Sequence, residues 1–287
     1  MSDLWVSLLV LVSIVLVCEL VRRASARLLS DGGYGVYVAE FVSTLQLCAC
    51  THELKLLGDA GVSTQPQLLA LALTYVTSVV QALTSRGATC NPSGALERFL
   101  RRSDGALTGA RLAAVMLARV ASQFAAAVAA RLVLRRVWAR GLSELHARHW
   151  ASAFQCASPI VRAPLLEAAA VETICAFAVH ASSSCTRTLQ AKHRVHALAA
   201  VITTVSFAGG STTGAVFNPA VAFSTQFPCS GGTFAEYSLV YWMGPLLGVA
   251  FSILLFDKVI FALSVKSTSL EELKYDTIDR KKRKKKK

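Results

Sequence analysis

The residues with the most suggestive chemistry in this 287-residue chain are Asn91 and Asn218, its only two asparagines, each followed by proline. Asparagine is favoured at a helix N-cap and proline at the first helical position. Each Asn-Pro pair therefore predicts a loop that feeds a short helix, at about residues 92–100 and 219–227. Neither helix is long enough to span a bilayer. Two capped turns at the protein surface are the simpler alternative for such pairs.

The surroundings of the two Asn-Pro pairs repeat, which argues against that alternative. A glutamate in an apolar segment precedes each pair: Glu40 lies 51 residues before Asn91, and Glu172 lies 46 residues before Asn218. Each half of the chain then has three long apolar segments and one short helix, so the halves must cross a membrane in opposite senses. This predicts an inverted repeat whose half-helices meet at the membrane midplane, with the glutamates accepting hydrogen bonds from the loops. A helix-packing or snorkelling role is the alternative for both glutamates.

The elements that position these residues are apolar. The chain is 54% hydrophobic and 16% charged, against about 25% charged residues in an average soluble domain, which argues against a soluble globule and against a disordered protein. Seven apolar runs predict membrane helices at roughly residues 4–21, 34–57, 66–85, 107–137, 163–181, 195–210 and 234–265. Arg119 is a charge within the fourth run, so we expect it to pair with a buried carboxylate, with Glu40 as one option.

The first run has three interpretations. Ala24-Ser25-Ala26 has the form of a signal-peptide cleavage site, but only Asp3 precedes the run, whereas Arg22, Arg23 and Arg27 follow it. That charge order favours a spanning helix with a non-cytosolic N-terminus over a signal peptide or an interfacial segment. Basic residues in the later loops place the C-terminus in the cytosol, although four arginines between residues 135 and 148 disagree with this orientation.

These motifs resemble the aquaporin family. Asn218-Pro219-Ala220 matches the family signature, Ala39-Glu40-Phe41 is similar to the start of its first core helix, and residues 241–248 are similar to its last helix. Residues 44–54 and 208–222, together with Cys229, resemble the unorthodox superaquaporin branch of the aquaporin-11 type. The first motif departs from the signature as Asn91-Pro92-Ser93, and a degenerate first motif is usual in that branch.

The resemblance implies an all-α membrane protein: a right-handed bundle of six transmembrane helices and two re-entrant half-helices, here with an extra N-terminal transmembrane helix. It divides the chain into an N-terminal segment (1–33), a first repeat (34–137), an inter-repeat loop (138–162), a second repeat (163–265) and a cytosolic basic tail (266–287). It also implies a homotetramer with one pore in each subunit.

The resemblance further implies a selectivity constriction, and here the chain departs from ordinary members. They have arginine three residues after the second asparagine, where this chain has Val221. The other constriction positions match Ala215, Ser206 and a residue near Leu71. The loss of a fixed cation predicts a less polar constriction, with slower or less selective passage of water and with glycerol or hydrogen peroxide as further solutes.

We therefore expect a passive channel for water and small neutral solutes in an intracellular membrane. The alternative is a weakly conducting or non-conducting scaffold or organelle-homeostasis protein with the same fold. Lys284 and Lys285 fill a dilysine retrieval signal of the endoplasmic reticulum, although the tail could instead contact anionic lipid. A disulfide between Cys156 and Cys229 is possible, since both would lie on the non-cytosolic side.

No residue pattern indicates an enzyme. Cys48, Cys50 and His52 fit no zinc spacing, and His52-Glu53 lacks the second histidine of a zinc-protease motif. We expect no catalytic residues, no metal and no cofactor. The last eight residues are all basic, and removing their charge from the net +13 leaves +5, so the body of the chain does not indicate a nucleic-acid partner.

Overall fold

The computed structural model describes residues 3–29, 33–59, 66–101, 109–151, 163–227 and 229–260, and within them the regular elements are helices joined by loops. Its helices, in chain order, are α1 (Asp3–Leu28), α2 (Gly35–Asp59), α3 (Pro66–Thr84), α4 (Pro92–Arg101), α5 (Gly109–Trp138), α6 (Glu144–Ala151), α7 (Leu165–Cys185), α8 (Ala191–Gly210), α9 (Pro219–Thr225), α10 (Phe234–Ser238) and α11 (Gly244–Ile253). Two π-helical stretches, Leu239–Met243 and Leu254–Ile260, join and extend α10 and α11 into one last long helix.

Each of the seven apolar runs corresponds to a long helix, and the two Asn-Pro pairs begin the short helices α4 and α9. Four helical segments are long and apolar enough to cross a membrane: Asp3–Leu28, Gly109–Trp138, Leu165–Cys185 and Phe234–Asp257. Leu68–Thr84 is a shorter apolar helix. The two remaining long helices, α2 and α8, have similar lengths but carry more polar side chains. In α2 several of these are buried, among them Glu40, Gln46 and Glu53.

The structure differs from the sequence-based boundaries in four places. Helix α7 ends at Cys185, four residues beyond the predicted end of its apolar run. Helix α1 continues through the basic residues to Leu28, so Arg22 is helical and only 3% exposed rather than part of a link. Helix α8 begins at Ala191, four residues before the predicted start of its apolar run. The short helix α6 lies in the inter-repeat loop, where no helix was predicted. Cys156, Lys284 and Lys285 lie outside the described residues.

Small residues allow the central helices to approach one another closely. A Cβ atom placed on Gly248 of α11 would lie 2.5 Å from the Thr173 carbonyl oxygen and 2.7 Å from the Phe177 nitrogen of α7. Gly244, one turn earlier, faces Glu172 in the same way, with 3.1 Å between the added Cβ and the Glu172 Cβ. This glycine pair at i and i+4 is the small-residue packing that is typical of membrane helices. It brings the helix that carries Glu172 against the last helix.

The corresponding contact in the first half is made by α2 and α5, where Ala126, Ala127 and Ala130 are fully buried. A buried carboxylate stabilises one end of this contact. Glu53 accepts a hydrogen bond from Trp138 Nε1 and lies 2.9 Å from His146 Nε2. Because His146 belongs to α6, Glu53 joins α2, α5 and the short loop helix.

Candidate functional site at the junction of the two half-helices

The N-termini of α4 and α9 meet, and the two asparagines join them. Asn218 Nδ2 donates a hydrogen bond of 2.8 Å to the carbonyl oxygen of Cys90, and Asn91 Nδ2 donates one of 3.3 Å to the carbonyl oxygen of Phe217. Each side-chain oxygen caps its own helix. Asn91 Oδ1 accepts from the nitrogen of Ser93, and Asn218 Oδ1 accepts from that of Ala220. Each amide thus caps one half-helix and contacts the opposite loop.

The carbonyl groups that accept these bonds belong to residues in an unusual conformation. Cys90 and Phe217 directly precede the two asparagines, and both have positive φ angles, 53° and 37°. Positive φ is uncommon for residues other than glycine and costs free energy, so the surrounding structure must impose it. The same backbone geometry at equivalent positions gives the two loops a matching shape.

Glu40 holds the first of these loops. Its carboxylate accepts hydrogen bonds from the backbone nitrogens of Thr89 and Cys90, at 3.0 Å each. Gln123 Nε2 donates to it at 3.0 Å, and Arg119 Nη1 forms an ion pair with it at 3.1 Å. Glu40 is fully buried, so this set of donors and one cation compensates for its loss of hydration. The pairing of Arg119 with a buried carboxylate was expected from the sequence, whereas the contact of Gln123, one turn further along α5, was not.

Glu172 holds the second loop with a different set of partners. It accepts hydrogen bonds from the backbone nitrogens of Val216 and Phe217, at 3.0 and 2.5 Å, and from Thr213 Oγ1 at 2.6 Å. Tyr241 of the last helix donates to the Thr213 carbonyl oxygen. Among the described residues, no arginine, lysine or histidine forms an ion pair with Glu172. The two repeats therefore share loop geometry but differ in charge compensation.

A cavity of about 1190 Å³ runs past this junction. Both Asn91 and Asn218 line it. On one side of them it extends along α4, where Gly94, Glu97 and Arg98 contribute to its wall. On the other side it extends along α9 and the end of α2, with lining residues that include Val221, Thr225, Gln226, Leu54 and Lys55. The cavity is thus shared by both half-helices.

Three of the four proposed constriction residues line this cavity, namely Ser206, Ala215 and Val221. Leu71, the fourth, is not among the lining residues. Thr74, one turn further along α3, lines the cavity instead. The sequence does not fix which residue of α3 lies at the constriction, because α3 carries no motif that sets its register against α9.

A second group of charges, not anticipated from the sequence, surrounds the far end of α4. His180 Nδ1 contacts Glu97, and Arg101 pairs with Glu97 at 2.9 Å and with Asp257 at 3.0 Å. Arg101 also donates to Ser184 Oγ. These contacts join the half-helix to α7 and to the last helix. In the sequence, only the i, i+4 spacing of Glu97 and Arg101 could have predicted part of this group, namely the ion pair between these two residues.

The cysteines and the histidine that the sequence suggested as metal ligands lie among structural contacts. Cys48 and Cys50 are buried free thiols, and His52 Nε2 lies 3.0 Å from Ser224 Oγ of α9. Cys229 is disulfide-bonded. Within the described parts of the chain, no three His, Cys, Asp or Glu side chains are grouped so that they could hold a metal ion.

Comparison with known proteins agrees with this architecture. The sequence profile of the family described as major intrinsic protein matches residues 28–256. The chain belongs to that family. Aquaporin-11 of Homo sapiens is 36% identical over 257 residues, which cover 90% of each chain. Aquaporin-11 of Equus caballus is 36% identical over 260 residues, again 90% of each chain, and aquaporin-12 of Mus musculus is 36% identical over 258 residues, covering 89% of this chain and 86% of that protein.

Membership of the major intrinsic protein family decides the broad class. The chain is a multi-pass membrane protein of the aquaporin type, and the similarity to aquaporins 11 and 12 agrees with the superaquaporin branch. Membership supports a channel for water or small solutes, and the names of the relatives are those of channels rather than enzymes.

Proposed function

We propose that the chain is a passive channel for water and small neutral solutes, with glycerol and hydrogen peroxide among them, in an intracellular membrane. The observation that carries this proposal is the shared cavity, which both asparagines line and which extends along both half-helices. A solute that followed this cavity would meet the Asn91 and Asn218 amides at its centre.

The chemistry at that centre suits a neutral oxygen. An asparagine amide has two N–H groups, and one hydrogen bond to the opposite loop leaves the second available to a passing solute. The N-termini of α4 and α9 converge here, and each carries about half a positive charge. The two facing dipoles would disfavour cations, and the amide donors would orient a water molecule so that a chain of proton transfers is interrupted.

The walls of the proposed constriction favour solutes larger and less polar than water. Ser206 offers a hydroxyl group, whereas Ala215 and Val221 offer only small apolar side chains. Without an arginine at position 221, neither a fixed cation nor its five N–H donors narrow the passage there. We therefore propose slower or less selective water flux, with glycerol and hydrogen peroxide able to pass.

Reconstituted vesicles test this function. The purified protein should accelerate osmotic shrinkage of vesicles and their uptake of glycerol and hydrogen peroxide above the rates of empty vesicles. Ser206→Trp should return the rates to those of empty vesicles, because the indole would fill the cavity. Thr204→Trp is the matched control, since Thr204 lies on the same helix but is exposed on the outside of the bundle, and it should leave the rates unchanged. Equal behaviour of both variants would contradict the proposed pore.

The same experiment addresses the alternative of a scaffold or organelle-homeostasis protein. Two features favour that alternative: Val221 at the constriction, and Ser93 in the first motif, whose hydroxyl is buried without a hydrogen-bond partner. Rates equal to those of empty vesicles, measured with a folded protein, would favour the scaffold.

The intracellular location is proposed from Lys284 and Lys285 near the end of the basic tail. Changing both lysines to serine should shift the protein from the endoplasmic reticulum to the cell surface. An unchanged distribution would contradict the retrieval signal. Contact of the tail with anionic lipid would instead be an electrostatic contact between the tail and the membrane surface, which weakens as salt concentration rises.

A further inference from the structure

Helix α1 lies outside the six-helix pattern of the family, yet one of its faces, which includes the polar Ser7 and Arg22, is buried against the bundle. Arg22 is 3% exposed although it belongs to a helix long and apolar enough to cross a membrane. A charged side chain at membrane depth is expensive unless it pairs within the protein. Val15, two turns earlier, lines the central cavity. Helix α1 is therefore packed as part of the bundle and not only as an anchor.

A continuous series of hydrogen bonds leads from Arg22 towards the junction of the half-helices. Arg22 Nη2 donates to Gln46 Oε1 at 2.8 Å, and Gln46 Nε2 donates to Gln81 Oε1 at 2.9 Å. Gln81 Nε2 in turn donates to Cys90 Sγ at 3.4 Å and to the Ser43 carbonyl oxygen at 2.9 Å. The series crosses from α1 through α2 and α3 to the loop before α4.

Cys90 is the residue at which this series meets the proposed pore. Its carbonyl oxygen accepts the hydrogen bond from Asn218, and its backbone nitrogen donates to Glu40. Its φ of 53° requires support from its surroundings. Gln81 supplies such support from the side of α3. The orientation of the Cys90 carbonyl, and with it that of the Asn218 amide, thus depends on groups that extend back to α1.

A second contact joins α1 to the same loop at the surface. Glu19 pairs with Arg86 at 2.8 Å, and Arg86 lies four residues before Cys90 in the turn after α3. Glu19 also pairs with Arg22 and Arg23. An exposed ion pair contributes little to stability alone. This pair, however, connects α1 to the loop before α4, as the buried series of hydrogen bonds does.

We propose that Arg22 is a positioning residue for the pore centre, acting through Gln46 and Gln81 on Cys90 and Asn218, so that α1 is a component of the channel. The inference takes its functional meaning from the proposed channel. It predicts directly that loss of the Arg22 guanidinium alters the surroundings of the Cys90 thiol in the loop after α3.

Pulse labelling with N-ethylmaleimide, read by mass spectrometry of each cysteine-bearing peptide, tests this prediction. In Arg22→Met the rate of Cys90 modification should rise about tenfold, the factor that corresponds to one net hydrogen bond. Arg23→Met is the matched control, because Arg23 is adjacent and exposed and contacts Glu19 alone among the ion pairs of the described residues. Its Cys90 rate should stay within about twofold of the unmodified protein.

Two other thiols distinguish a local effect on Cys90 from a general destabilisation of the protein. Cys185 is exposed and serves as the reference for reagent reactivity, whereas Cys175 is buried in α7 of the second half. A rise at Cys90 without a rise at Cys175 supports the inference. A parallel rise at both, or an unchanged Cys90 rate in Arg22→Met, overturns it.

A double-mutant cycle adds a readout that simple destabilisation would not produce. Gln81→Leu should raise the Cys90 rate by itself, and adding Arg22→Met should produce little further change, because the series is already broken. Fully additive effects would overturn the proposed series. If vesicles show no flux but Cys90 responds as expected, the proposed function fails and this inference stands. If vesicles conduct and Cys90 does not respond, the reverse holds.

Discussion

Glu40 and Glu172 hold equivalent loops by different means. Both carboxylates accept backbone hydrogen bonds from the residues that precede an Asn-Pro pair. Among the described residues, a cation, Arg119, pairs with Glu40 and none pairs with Glu172. Because the unmatched group in a broken buried ion pair carries the energetic penalty, the same substitution at the two positions has different consequences.

We predict that Glu40→Gln lowers the free energy of unfolding by about 3 kcal/mol or more, since it leaves the Arg119 guanidinium without its counter-charge. Glu172→Gln should lower it less, by about 1.5–3 kcal/mol, because it weakens hydrogen bonds to a carboxylate without breaking an ion pair. Apparent melting temperatures in mild detergent would check the order. Adding Arg119→Met to Glu40→Gln should recover part of the loss, and equal losses in the two single variants would contradict this account.

Helices α7 and α11 pack most tightly at Gly248. Among the described glycines, a Cβ atom added there would lie nearest to another atom, the Thr173 carbonyl oxygen. We predict that Gly248→Ala lowers the free energy of unfolding by about 1–3 kcal/mol, because the new methyl group would press on backbone atoms that cannot move aside. Gly58→Ala is the control, since a Cβ at Gly58 in α2 meets nothing within 4 Å. It should be neutral or slightly stabilising. Thermal unfolding of both variants tests the prediction, which fails if they behave alike.

The elements were predictable to different degrees. The apolar runs and the Asn-Pro pairs predicted the seven long helices and both short ones, because length and capping are local properties of the sequence. The end of α1 was predicted too early, because an arginine after an apolar run is typical of a loop. The hydrogen bond that buries Arg22 is accepted by Gln46, 24 positions later, and this long-range contact has no local sequence signal. Helix α6 was missed because its stability depends on the distant Glu53. The positive φ angles of Cys90 and Phe217 carry no sequence signal, because neither residue is glycine.

For the molecule as a whole, the outer surface carries many apolar side chains that no other part of the single chain covers. Many large apolar side chains on the outside are exposed in the single chain, among them Trp5, Leu83 and Leu166 at 63%, 67% and 78%. Lipid covers such surfaces in a membrane protein, and neighbouring subunits can do so as well. The homotetramer implied by the resemblance remains a proposal about these surfaces.

We predict that native mass spectrometry of the protein, released from mild detergent, yields a species of four 30.7 kDa chains. The tetramer should persist in Arg23→Met, whose side chain is exposed at the end of α1. Monomers alone, under conditions in which the protein is folded by circular dichroism, would contradict the proposed assembly.

The buried position of Arg22 also bears on biosynthesis. During translation, α1 leaves the ribosome before α2, so Arg22 reaches the membrane with Glu19 as its partner while Gln46 is still inside the ribosome. The cost of burying the guanidinium falls further once Gln46 supplies a second acceptor. The first two helices should therefore partition into lipid together, as a hairpin. The contact between Arg22 and Gln46 would then form during insertion itself, before the later helices are in place.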